Sequence, residues 1–257
     1  MNYIFILFSF FITLIPIITI GYYFYKNDTI KEPKKLLRKL FISGIISAFI
    51  VIFISFFGII IFPTFSDIQK ITNYFILFLY CFIFVSLIEE LSKFIMIYYI
   101  SYNNKEFDQA FDIILYSVYV GLGFAFFENI IYSLGSDIQF ITIILRCITA
   151  IPAHVCFQTI MGYHLYMSKI NNKKKELLLS LLIPIIFHGT YDLFVFSQNY
   201  LLYTLFIFLL LFMIIYSLSK VKKLLDIDKA NLKSFCPNCG TKVNYQYCPK
   251  CGYKNNN

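Results

Sequence analysis

The chain has 257 residues, of which 59% are hydrophobic and only 14% charged, with a formal net charge of +8. A mean hydropathy of +0.73 excludes a disordered, fibrous or ordinary soluble protein, because average soluble domains are about half apolar and about a quarter charged. One core of this size cannot bury that much apolar surface, so lipid must cover the rest.

A bilayer core of about 30 Å needs roughly 20 apolar residues per helix. The pattern predicts an all-α polytopic membrane protein with seven spans near 3–25, 40–62, 74–100, 113–134, 140–167, 177–197 and 201–219. The first span follows Met1-Asn2-Tyr3 with no basic residue and no small-residue cleavage site after it. It reads as a retained span rather than a cleaved signal. Between the first two spans lie Lys26, Lys31, Lys34, Lys35, Arg38 and Lys39, and between the second and third only Lys70. The third span carries Glu89, Glu90 and Lys93, the fourth Glu128 and Asn129, the fifth Arg146 and His154, and the sixth His188 and Asp192. His164, near the inner end of the fifth span, reads as structural or interfacial. Cys81, Cys147 and Cys156 read as small packing residues. Gly121 and Gly123 read as positions where the fourth helix approaches a neighbour closely. No internal repeat and no interrupted span is read, which counts against a transporter.

After the seventh span, residues 220–235 read as a linker and 236–252 as a zinc ribbon. Cys236, Cys239, Cys248 and Cys251 are spaced C-x2-C-x8-C-x2-C, each pair followed by glycine. Four thiolates complete a tetrahedral zinc with no open position, so the metal there should be structural and the compartment reducing. Residues 253–257 are expected to be disordered, and a cytoplasmic partner of the ribbon is not readable.

All 22 basic residues except Lys70, Lys93 and Arg146 lie in alternate breaks or in the tail. By the positive-inside rule this predicts a cell-membrane protein with its N-terminus outside and its C-terminus in the cytoplasm. The +8 then needs no nucleic acid to explain it.

Charged groups in hydrocarbon are costly and usually functional. Glu89, Glu90, His154 and His188 fall near mid-span, with Glu128, Arg146 and Asp192 displaced outward. The cheapest burial turns them toward one another. Glu89–Lys93 and His188–Asp192 are each spaced i, i+4. Such a set suits activation of a water by a carboxylate, and it equally suits a divalent metal with water as the open ligand. The same charges could serve an ion-coupled transporter or a non-catalytic membrane scaffold.

At these residues a family resemblance stands out. Glu89-Glu90-Leu91-Ser92-Lys93-Phe94 resembles the E-E-x-x-K signature of the PrsW-type intramembrane proteases. Asp112, Tyr116, Gly121, Gly123, Phe124, Ala125, Glu128 and Asn129 resemble the family's second signature, with Ile113 and Ser117 standing where glycine is usual. Arg146, Pro152, His154 and Met161-Gly162 resemble the third, and His188-Gly189-x-Tyr191-Asp192 the fourth. The family is grouped with CAAX prenyl endopeptidases and bacteriocin-processing membrane proteins. The resemblance implies a membrane-embedded peptidase that cuts a single-span substrate, such as an anti-sigma factor, toward its extracytoplasmic side. It implies Glu89, Glu90, Glu128, His154 and His188 as catalytic, with Lys93, Asn129, Arg146 and Asp192 in support. Whether an active-site divalent metal takes part stays open.

Overall fold

The structure, a computed structural model, describes residues 3–135 and 140–233, together with Asn238, Lys250 and Cys251. Among the described residues it is all helical. The helices are α1 (Tyr3–Asn27), α2 (Lys34–Ile61), α3 (Tyr74–Tyr102), α4 (Asp112–Ser133), α5 (Phe140–Ile148), α6 (Ala150–Asn171), α7 (Lys174–Phe196) and α8 (Tyr200–Lys233). Taking α5 and α6 as one stretch, seven segments are long and apolar enough to cross a membrane. These match the seven predicted spans in number and order.

Helix α4 is the centre of the bundle. Within its most apolar window 72% of residues are buried, against 11% for α8. It packs against α1, α2 and α6. Small residues make this position available, as expected of Gly123. A methyl placed there would overlap the Phe41 carbonyl of α2, and one at Gly44 of α2 would overlap the Val120 carbonyl of α4. The two backbones therefore touch without side chains between them.

Three features depart from the plain spans. The middle of α3, Tyr80–Leu87, is π-helical. The Ser86 hydroxyl there donates to the carbonyls of Phe82 and Ile185, each at 3.1 Å, tying α3 to α7. A π turn resets the helix face, and it does so directly before Glu89 and Glu90. The fifth span, read as uninterrupted, is broken at Thr149 into α5 and α6. Pro152 has no N–H to offer the carbonyl four residues back, at Ile148, so one helical bond is lost there. Finally, α8 continues helical to Lys233 through the stretch read as a linker. Val221, Leu224, Leu225 and Asp228 are buried. The Asp228 carboxylate accepts from the backbone N–H groups of Ala110 and Phe111 at 2.7 and 2.8 Å, where the chain turns into α4.

Candidate active site

Five helices deliver the polar side chains to one place. Glu89, Glu90 and Lys93 come from α3, Glu128 and Asn129 from α4, His154 from α6, and His188 and Asp192 from α7, with Arg146 reaching in from α5. Every supporting and catalytic residue expected from the sequence within the spans joins this network. His164 does not: its Nδ1 lies 2.8 Å from the Glu176 carboxylate, in a separate pair.

Lys93 is the hub and is fully buried. Its Nζ donates to Glu89 Oε2 at 3.1 Å and to Glu90 Oε1 at 2.8 Å, and it lies 3.3 Å from His154 Nδ1. An ammonium has three protons and no lone pair, so His154 Nδ1 must accept. The His154 proton then sits on Nε2 and is donated to Glu128 Oε2 at 2.8 Å. The Lys93 ammonium also sits 3.8 Å above the Phe124 ring, a cation–π contact.

Arg146 closes the outward end. Its Nη2 lies 2.9 Å from Glu128 Oε2, its Nε donates to Asn129 Oδ1 at 2.9 Å, and its guanidinium lies 3.6 Å from the Tyr132 ring centroid.

His188 faces two ways. Its Nδ1 donates to Glu90 Oε1 at 2.9 Å. Its Nε2 looks toward Glu89 Oε2 at 3.9 Å and Asp192 Oδ2 at 3.4 Å. The ring is stacked on Phe157, with centroids 4.8 Å apart and planes 17° from parallel.

The two adjacent glutamates are not equivalent. Glu90 is fully buried; its Oε1 accepts from Lys93 and His188, and its Oε2 accepts from Gln158 Nε2 at 2.8 Å. Glu89 instead lines a cavity of about 770 Å³ that also exposes Glu128, Arg146, His154, His188 and Asp192. Its remaining walls are largely apolar and include aromatic rings, among them Phe56, Tyr80, Phe84, Tyr132 and Tyr191.

Charge bookkeeping constrains the site. Four carboxylates (Glu89, Glu90, Glu128 and Asp192) face two fixed cations, Lys93 and Arg146. With both histidines neutral the cluster carries two uncompensated negative charges, which a low-dielectric interior does not tolerate. Two protons or one divalent cation would neutralise it. The residues fit such an ion: Glu89, Glu90 and His188 each place a ligand atom within 4.8 Å of the others. Asp192 Oδ2 beside them is buried, with no hydrogen-bond partner among the described residues.

Gln158 and Phe157 escaped the sequence reading. Their available signal was position: Gln158 lies one helical turn from His154, on the same face of α6. Of the tail cysteines, Cys251 is exposed, and Cys236, Cys239 and Cys248 lie outside the described residues.

Residues 32–218 match the model of the PrsW family intramembrane metalloprotease. The chain is 32% identical over 212 residues to Protease PrsW of Oceanobacillus iheyensis, covering 81% of this chain and 93% of that one. It is 31% identical to Protease PrsW of Geobacillus kaustophilus, covering 67% and 72%, and 26% identical to Protease PrsW of Bacillus subtilis, covering 81% and 91%. No solved structure matches it. A buried carboxylate–histidine cluster inside a seven-span bundle, with relatives of this kind over most of its length, makes the chain a protease belonging to the PrsW family of intramembrane metalloproteases.

Proposed function

We propose that the chain hydrolyses a peptide bond of a membrane-anchored, single-span substrate, in the outward half of the membrane, with Glu89 as the base that activates water. The observation that carries the assignment is the asymmetry of the glutamates: Glu89 faces the cavity, while Glu90 is sealed away by three donors.

In the chemistry this implies, a water beside Glu89 attacks the scissile carbonyl carbon and gives its proton to the Glu89 carboxylate. Negative charge develops on the carbonyl oxygen, close to the Arg146 cation and the His188 ring on the cavity wall. The C–N bond then breaks, and the proton held by Glu89 passes to the departing amine. The products are a carboxylic acid and an amine. A divalent ion bound by Glu89, Glu90 and His188 would add Lewis acidity and make the water more acidic. Lys93 holds both carboxylates in place, Glu90 holds the His188 ring, and Glu128 fixes the orientation of His154.

The basic residues of alternate breaks and tail support an N-terminus outside the cell membrane and a cytoplasmic C-terminus. With that orientation the cavity opens on the extracytoplasmic half. An anti-sigma factor is the substrate that the family resemblance suggests. The C-x2-C-x8-C-x2-C spacing of the tail supports a structural zinc.

The test uses the full chain in proteoliposomes with a fluorogenic reporter, a single apolar span carrying a quenched dye pair across its extracytoplasmic flank. Wild type should cleave it. Glu89→Gln, Glu90→Gln and His188→Ala should insert and fold but not cleave. Cleavage retained by all three variants would overturn the assignment.

A further inference from the structure

Glu90 can seal itself off only because a residue outside the charged set takes its second oxygen. Gln158 of α6 is fully buried, and its Nε2 donates to Glu90 Oε2 at 2.8 Å. That bond leaves Oε1 as the one oxygen that receives both Lys93 and His188, at 2.8 and 2.9 Å. The carboxylate is thereby fixed in rotation, and with it the His188 ring, whose other nitrogen looks into the cavity toward Glu89 and Asp192.

The space for Gln158 is created on the next helix. A methyl on Gly121 of α4 would overlap Gln158 Cγ, come within 3.3 Å of its Cβ and within 3.4 Å of the His154 carbonyl. These are atoms at the root of the side chain and in the α6 backbone, so the strain cannot be relieved by swinging a flexible tip. Gly121 and Gln158 are thus complementary halves of one packing contact whose far end is Glu90.

We propose that Gln158 is a positioning residue for the reaction, acting through Glu90 on His188, and that Gly121 is the small residue that admits it. This rests on the reading of Glu89, Glu90 and His188 as the active site. Outer partners of this kind hold the reacting groups in register, and their loss costs about 10- to 100-fold in activity.

The test compares Gln158→Leu, Gln158→Ala, Gly121→Ala and the double variant Gly121→Ala/Gln158→Ala with wild type, using the single-span reporter in proteoliposomes. Glu89→Gln serves as the inactive control, and thermal unfolding in detergent checks folding. Gln158→Leu keeps the volume and removes the donor; kcat should fall about 10- to 100-fold with KM within about twofold. Gly121→Ala should lower kcat similarly. In the Gln158→Ala background the same glycine substitution should add little further loss, because the Cγ it would overlap is gone and only the looser contacts to Cβ and the His154 carbonyl, at 3.3 and 3.4 Å, remain. Wild-type kcat for Gln158→Leu, or losses that multiply in the double variant, would overturn the proposal. A Gln158→Leu variant that does not fold leaves the glycine cycle to decide. Cleavage by Glu89→Gln would instead overturn the active-site reading, whatever Gln158 does.

Discussion

Lys93 spends its three protons on Glu89, Glu90 and His154, and it is itself fully buried. Removing the ammonium would leave two buried carboxylates facing each other without a cation, the situation that destabilises proteins by about 3–5 kcal/mol. Lys93→Met is therefore expected to lower the thermal unfolding midpoint far more than Glu89→Gln, which leaves Lys93 its bond to Glu90. Equal midpoints for the two variants would show that Lys93 is not the structural hub. At this scale the sequence was most informative where hydrocarbon is least forgiving. Glu89, Glu90, Glu128, His154, His188 and Asp192 are legible because each ionisable group within a span demands a partner. Gln158 carries no charge and lies in an apolar run, so its place one turn from His154 is a faint signal, and its bond to Glu90 is what gives it a role. The unequal surroundings of Glu89 and Glu90 were also hidden, since neighbours in sequence point about 100° apart on a helix and the π segment just before them shifts the helix face.

The bundle depends on contacts between elements that tolerate no added atom. Gly123 of α4 lies against the Phe41 carbonyl of α2, so Gly123→Ala should force the two helices apart, an overpacking cost of about 1–3 kcal/mol. Thermal unfolding in detergent should register it, and an unchanged midpoint would mean that α2 can yield. The α1–α2 connection offers a second expectation. Burial pushes the Glu32 carboxyl up to about 7, against the Tyr116 hydroxyl, which pulls it down; Asp28, Asp108 and Glu106 add to the rise. The folded chain therefore holds a proton that the unfolded chain releases near 4.5. The stabilisation is fully present below that value and is lost as pH rises through about 7. Amides near residues 28–37, corrected for intrinsic exchange rates, should be better protected at about pH 5 than at about pH 8, and Glu32→Gln should flatten the difference. Equal slopes in wild type and variant would count against this. The spans themselves were legible because length and hydropathy alone define them. The break at Thr149 and the π segment Tyr80–Leu87 were not: a proline early in a helix also suits an unbroken one, and the π segment is a featureless apolar run.

Across the whole molecule, α8 carries the chain from the membrane core toward the cysteine tail, and it stays helical further than composition implies. Residues 220–233 are polar enough to read as a linker, yet the helix persists because Val221, Leu224 and Leu225 are buried and Asp228 supplies the acceptors for Ala110 and Phe111. A carboxylate at the start of α4 also sits favourably at the positive end of its dipole. The two parts can be separated by truncation. Ending the chain after Lys233 removes all four tail cysteines and keeps every contact of Asp228. Ending it after Leu225 removes Asp228 too and leaves two buried backbone donors without acceptors, each costing about 1–3 kcal/mol. The longer truncation product should unfold near the wild-type midpoint and still cleave the single-span reporter. The shorter one should unfold earlier and yield less inserted protein. Metal analysis of the purified chains should find zinc stoichiometric with the tail in the full-length protein and lost at that level from the chain ending at Lys233. Loss of cleavage in that chain, at an unchanged midpoint, would mean that the tail takes part in proteolysis, and the core's independence would have to be given up.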